Sequence, residues 1–315
     1  MRKIIVTVLI GLLFLFIVSG CGSGPKAPGR DKDRYFRILD MNGGFSFFGR
    51  FPVVKKTAKD INCYWFDFDS DGRPSRIEFR RQGILAIDDV FHFAFMKIAY
   101  TDSSEIRTNY NVEKQVTGYI QEYIYNEAGH RVRLKNLNQS GTLVLDSKRV
   151  AQYEFITDAG GRRTEAYRLN LKGRRIADRM GVYLRKTEYN TKGQIDRIMN
   201  YSSVNNLMRD ASGLSYIHWI YDEAGNRIQE IGYNMAGEIA EDTRGIAIRK
   251  YVYDAWGSKI KVSFFNKVGL PVGDHQRIAV YHWDYNRRGE ANRLRGYDIE
   301  GKVIYNKALG ADKEK

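Results

Sequence analysis

A single register governs this chain from residue 129 onward. The glycines of its Tyr-Asp-type turns, Gly129, Gly160, Gly193, Gly225, Gly257 and Gly289, are spaced by 31, 33, 32, 32 and 32 residues. A second glycine follows twelve residues later at Gly141, Gly237, Gly269 and Gly301 and thirteen later at Gly173, with Asn205 taking the place in one unit. Five residues further on stands an aspartate, at Asp146, Asp178, Asp210, Asp242 and Asp274, 32 residues apart every time. Gly181, Gly213 and Gly245 close that third turn, with Arg149 and Arg277 as exceptions. A fixed period of this length means a repeat array, in which each unit buries its apolar face against its neighbours.

Turn chemistry says what the units are made of. Asp or Asn at the first position of a type I turn bonds the backbone two residues on, and Gly at the fourth accepts positive φ. Followed by a return strand, such a turn is a hairpin with a Gly bulge. Between the turns of one unit lie 226–233 (NRIQEIGY), 238–241 (EIAE) and 246–253 (IAIRKYVY), lengths that suit strands. Lys259–Phe265 (KIKVSFF) alternates Ile260, Val262 and Phe264 with polar residues, the pattern of a half-buried strand. Aromatic pairs precede the first turn at Tyr123/Tyr125, Trp219/Tyr221, Tyr251/Tyr253 and Trp283/Tyr285, and are expected to stack from unit to unit. The expectation is an all-β fold, an elongated antiparallel sheet of about seven or eight hairpin units, solenoid-like or a twisted meander. The alternative is an array closed into a barrel or propeller.

The array extends back with lower fidelity. Residues 65–72 (WFDFDSDG) fit the aromatic-turn pattern, Gly83 and Asp88 keep the five-residue offset, and Ser104 of 100–104 (YTDSS) falls 32 after Gly72. The step from Ser104 to Gly129 is only 25, so one unit is shortened. Residues 34–60 match poorly and are expected to cap the repeat domain of 61–308, with 309–315 a frayed tail.

The units YIYNEAGH, WIYDEAGN, YVYDAWGS and WDYNRRGE resemble the YD repeats of bacterial RHS proteins, whose hallmark is Tyr-x-Tyr-Asp-x-x-Gly. The resemblance covers roughly residues 65–305. It implies a β-sheet scaffold; the toxin that such shells often enclose has no counterpart in these residues. A smaller group of bacterial repeat proteins, with units like Tyr-Asp-x-x-Gly-Asn followed by a Pro-Val turn, is similar at Gly269-Leu270-Pro271-Val272.

The first 33 residues stand outside the repeat. Arg2 and Lys3 precede an almost continuously apolar stretch, 4–18, too short for a bilayer span. Val18-Ser19-Gly20-Cys21 then resembles the lipobox of bacterial lipoproteins, which implies a signal peptide over 1–20, cleavage before Cys21 and lipid on that residue. Residues 22–33 (GSGPKAPGRDKD) read as a flexible tether, and Gly22 after the lipidated Cys favours the outer membrane by analogy with enterobacterial sorting. Loss of Arg2 and Lys3 with the leader leaves 49 basic against 37 acidic residues, a net charge of +12. In the envelope such an excess points to anionic polysaccharide, lipid head groups or acidic proteins, not to nucleic acid.

Chemistry-bearing candidates are few. Asp67, Asp69, Asp71, Gly72 and Glu78 meet the spacing of a calcium loop, in which alternate carboxylates supply hard oxygen ligands. Pro74 and the strand-like CYWFDF before the loop oppose this, and the same residues fit an ordinary repeat turn. The row Asp146, Asp178, Asp210, Asp242 and Asp274 reads as turn caps rather than catalytic carboxylates, because every turn needs a cap and no reaction needs five. His92, His130, His218, His275 and His282 fall in no ligand motif, and Cys63 looks like a buried thiol. No cofactor or resident metal is expected. The functional expectation is a lipid-anchored binding or adhesion scaffold, with a polysaccharide hydrolase or a pure spacer as alternatives.

Overall fold

The computed structural model describes residues 34–42 and 45–309. The leader, Cys21, the tether and all of the C-terminal tail but Leu309 lie outside the described residues. The described chain is all-β: 22 strands form one antiparallel sheet, and the only helix is a single turn, Lys55–Ala58.

Each full unit is one hairpin plus a two-turn return. Tyr216–Tyr221 runs into the first turn, Arg227–Tyr233 runs back, and the second and third turns hand the chain to Ile248–Tyr253. The first turn therefore sits on one long edge of the sheet, and the second and third share the other. Within a unit the hairpin pairs over six positions, from Tyr216↔Tyr233 to Tyr221↔Arg227, with a bulge at Ile220/Tyr221. Successive units pair over three positions, as in Gln229↔Lys250 to Ile231↔Ile248. The segment read as a four-residue strand, 238–241, makes one bridge, Tyr233↔Ile239, because the two flanking turns leave no room for a longer ladder.

The register is cleaner than the glycines alone suggest. Asp158 O accepts from Gly161 N at 2.9 Å, and Gly161, not Gly160, carries the positive φ of 75°. Placing the turn on its aspartate makes the first-turn step 32 throughout, from Gly129 through Gly161 to Gly289. The shortened unit lacks a third turn: after Asn111–Lys114 the chain passes through Gly118 straight into Ile120–Tyr125.

A spine of apolar plugs holds the units together. The residue four places after each third-turn aspartate is Val150, Val182, Leu214, Ile246 or Ile278, none more than 2% exposed. Strand glycines make room for two of these plugs: a Cβ on Gly232 would stand 2.7 Å from Leu214 Cδ1, and one on Gly296 2.7 Å from Ile278 Cδ1. A fully buried aliphatic side chain contributes roughly 1.5–3 kcal/mol, so one plug per unit is a large share of what binds neighbour to neighbour.

The first described strands, β1 (Tyr35–Asn42) and β2 (Ser46–Pro52), form a hairpin. It joins the array where Tyr35 and Phe36 of β1 pair with β3 (Asn62–Phe68), which in turn pairs with β4 (Pro74–Arg81). Leu39, Phe36 and Phe47 pack on the largest core cluster, around Phe66, Ile77, Phe93 and Met96. The hairpin then leaves its neighbours and crosses the sheet face. Phe45 at its tip packs on Tyr123, Leu134, Phe155 and Ala166. Arg50 Nη2 donates to Ala224 O at 2.7 Å and Asn226 Oδ1 at 2.8 Å, and Arg37 Nη1 donates to Arg288 O at 3.1 Å. At the far end Val303–Ala308 pairs with Ala291–Tyr297 alone among the described strands, so the sheet is open, not a barrel or propeller.

Candidate binding face

The turns share one geometry. In the third turn Asp146 Oδ1 accepts from Lys148 N (2.8 Å) and Val150 N (3.0 Å), and Asp146 O accepts from Arg149 N (3.0 Å). Asp178, Asp242 and Asp274 repeat all of this, and Asp210 keeps the bonds from Ser212 N (2.8 Å) and Gly213 N. The five aspartates stand in separate turns about 10 Å apart, two strands per step, and do not converge. Gly129, Gly193, Gly225, Gly257 and Gly289 lie on the opposite edge with φ between 75 and 83°. Arg149 and Arg277 take the same left-handed backbone at 63 and 64°.

The third turn differs in what its second carboxylate oxygen does. Asp146 Oδ2 and Asp274 Oδ2 accept from the hydroxyls of Tyr153 (2.6 Å) and Tyr281 (2.9 Å). Asp210 Oδ2 accepts from Asn200 Nδ2 (3.1 Å), Asp178 Oδ2 from Arg168 Nε (3.3 Å), and Asp242 Oδ2 from Arg249 Nη2. Each aspartate thus ties its turn to a strand.

The calcium-type set is not assembled. Asp69 caps its turn through Asp71 N and Arg73 N, Asp67 pairs with Arg34 (2.9 Å) and Asp71 with Arg73 (2.9 Å). Glu78 faces Trp65 across the strand pair, between Arg76 and Arg80. Among the described residues no three His, Cys, Asp or Glu are placed to share a metal ion. Cys63 is fully buried, and burial pushes its thiol up to about 11. His218 Nε2 lies 3.0 Å from Asp196 Oδ1, a pair formed across neighbouring strands and so invisible to sequence spacing. A cavity of about 450 Å³ lies over Ile124, Val132, Arg133, Lys135, Glu154 and Phe155, and its one carboxylate, Glu154, is held by Arg175 at 2.8 Å.

The face that the N-terminal hairpin crosses carries the most concentrated chemistry. The rings before the first turns do not stack on one another from unit to unit; cations stand between them. Arg227 lies over Trp219 (4.5 Å) and Tyr251 (5.5 Å), and Lys259 over Tyr251 (5.4 Å) and Trp283 (5.8 Å). The hairpin position two after the turn glycine supplies these cations, at Arg131, Arg163, Arg227 and Lys259. Earlier in the array Phe45 fills the face, with Arg131 and Arg163 over its ring at 5.5 and 5.3 Å. Trp219 and Trp283 are half-buried, and Tyr251 between them is buried. Burial holds the Lys259 ammonium below its usual range, reinforced by Arg227 and opposed by Glu230, and burial lifts the Tyr251 phenol to about 12. Trp219 Nε1 and Arg163 Nε are buried donors with no hydrogen-bond partner. Such a face can stack on flat apolar groups and donate to anionic or carbonyl oxygens.

No family model and no curated protein matches this sequence. Among solved structures, the TcdB2-TccC3-TEV crystal structure is similar over 80% of this chain and 14% of that chain, at 15% identity and a TM-score of 0.27. The Photorhabdus luminescens Tc holotoxin pore is similar over 84% and 18%, at 10% identity and 0.24. A porin-like protein from Bacteroides uniformis is similar over 78% and 86%, at 10% identity and 0.29. Likenesses this slight carry no argument about what the chain binds or does.

Proposed function

We propose that this chain is a cell-envelope binding or adhesion scaffold, held at the outer membrane by lipid on Cys21, whose aromatic and cationic face takes an anionic polysaccharide or an acidic protein. One observation carries the reading: Trp219, Tyr251 and Trp283 alternate with Arg227 and Lys259 at the repeat step, where the hairpin leaves the face half open. A polymer suits a surface whose unit repeats about every 10 Å.

The test is retention of full-length protein on separated envelope polysaccharide and protein fractions at low and high salt. Specific binding should persist at high salt and fall about tenfold in Trp219→Ala and Lys259→Ala, a loss of roughly 1.4 kcal/mol. Retention only at low salt, unchanged in both variants, would reduce the interaction to net charge and sink the proposal.

A further inference from the structure

The two edges of the array are chemically different, and folding alone does not explain why. An Asx-headed turn needs its first and fourth residues; the two between them face solvent and are free to be polar. On the first-turn edge they mostly are polar or small: Glu127-Ala128, Ala159-Gly160, Thr191-Lys192, Glu223-Ala224 and Arg287-Arg288, with Trp256 the exception. On the second-turn edge an apolar residue stands at the tip in six units: Val112, Leu171, Val204, Met235, Val268 and Ile299, between 37 and 70% exposed. The turns at 138–142 (NQSGT) and at Gln82-Gly83 lack one. Each such residue leaves apolar surface in water and does nothing for its turn.

We propose that this edge is a membrane-contact surface, on which the array stands with its second-turn tips in the lipid headgroup region of an anionic bilayer. Single apolar side chains about 10 Å apart, with polar backbone between them, do not form the continuous apolar core a protein interface needs. They do suit a fluid apolar layer that closes around each tip, reached by inserting only about 5–10 Å. The flanking charge has the matching sign. Exposed Lys114, Arg149, Lys172, Arg174, Lys267 and Lys302 are among the bases on this edge, against exposed Glu113, Glu238, Glu241 and Glu300. Each such base near an anionic surface adds to the attraction. This placement is separate from the anchor at Cys21: lipid on a tether holds the chain near a bilayer without choosing which edge meets it. It would leave the hairpin-crossed face at right angles to the membrane, open to a partner.

The experiment uses the full chain in a Cys21→Ser background, with buried Cys63 shielded from labelling. A small fluorophore is placed at Met235→Cys or Ile299→Cys on the second-turn edge, and at Ala128→Cys or Ala159→Cys on the first. Vesicles of phosphatidylcholine with phosphatidylglycerol carry a nitroxide on the acyl chain. The expected result is quenching about threefold stronger at Met235 and Ile299 than at the two alanine positions. Serine at Leu171, Val204 and Val268 together should cut vesicle binding about tenfold with the fold unchanged by circular dichroism. Equal quenching at both edges, or none at either, overturns the proposal. So does protection of the tips that rises with protein concentration and needs no lipid, which would mean that a second copy covers them. None of these outcomes bears on whether native Cys21 is lipidated or whether the Trp219 face binds polymer.

Discussion

Asn and Asp interchange at the head of the first and second turns, as Asn190, Asp222, Asn234 and Asp298 show, while the third turn has Asp every time. The amide oxygen of Asn can hold a turn, but only a carboxylate has a second acceptor for the strand behind it. Asp242, with a side chain 1% exposed, shows the consequence: Oδ1 accepts from Arg244 N and Ile246 N, and Oδ2 takes Arg244 and Arg249. Burial raises this carboxyl, but the backbone donors of Arg244 and Ile246 and the charge of Arg249 outweigh it and hold the group below its usual 3.8. Asp242→Asn would turn an amide N–H₂ toward two guanidinium groups and should cost about 3 kcal/mol in urea unfolding at neutral pH. Asp298→Asn, on an exposed second turn whose one oxygen caps Glu300 N and Lys302 N, should stay within about 0.5 kcal/mol. Because the folded value is depressed, the stabilisation from Asp242 is complete above the unfolded carboxylate range and is lost as pH falls through the folded value. The gap between wild type and Asp242→Asn should therefore narrow toward about pH 3. A gap independent of pH would mean that Arg249 is held by Glu230, its other partner at 3.1 Å, and not by Asp242.

At the scale of elements, the tyrosine just before the first turn is a staple between units in five places, while Tyr125 instead donates to the Glu105 carboxylate at 2.8 Å. The hydroxyls of Tyr189, Tyr221, Tyr253 and Tyr285 donate to the carbonyls of Arg163, Ile195, Arg227 and Lys259 at 2.8, 2.8, 2.9 and 3.1 Å, each 26 residues back. Tyr100 does the same to Pro74 at 3.0 Å. The acceptor is a main-chain group, so the staple leaves no mark on the sequence of the receiving strand, and only the tyrosine was legible. The apolar spine was equally hard to read: Val150, Val182, Leu214, Ile246 and Ile278 keep the 32-residue step, but single apolar residues beside a turn make no alternating pattern. Turns, strands and period could be read because they are local chemistry. Tyr253→Phe should cost about 1–2 kcal/mol, the lost bond plus an acceptor left without its donor. In a nearest-neighbour array the damage stays local. Amide exchange should quicken in Arg227–Tyr233 and Lys259–Phe265 and stay unchanged in Gln152–Thr157. Exchange that quickens evenly along the chain would show that the array unfolds as one unit.

For the whole molecule, the part least legible in the sequence is the hairpin of β1 and β2. Residues 34–60 carry no repeat signature, and nothing local to them announces that Phe45 will seat on Tyr123 and Phe155 or that Arg37 will meet Arg288, 251 positions away. Such contacts exist only once the array has curved, so spacing cannot encode them. The hairpin touches first turns of three successive units: Arg50 at Ala224, Phe51 against Gly257, and Arg37 at Arg288. Phe51 itself has φ of 55°, an uncommon backbone for a bulky residue that the surrounding contacts must hold in place. A strap fixed at three turns on one edge sets how far the sheet can flatten. Arg37→Ala with Arg50→Ala should therefore raise the radius of gyration in small-angle scattering while leaving the β-sheet circular dichroism intact. Gly257→Ala should act in the same direction, because a Cβ there meets the Phe51 ring, whereas Gly301→Ala has open space around it and meets only the backbone cost of positive φ, roughly 1–2 kcal/mol. An expanded double variant would also change the half-open face beyond Trp219, coupling the hairpin to whatever that face holds. An unchanged scattering profile would place the curvature in the twist of the sheet itself and leave the hairpin as a filling of the face.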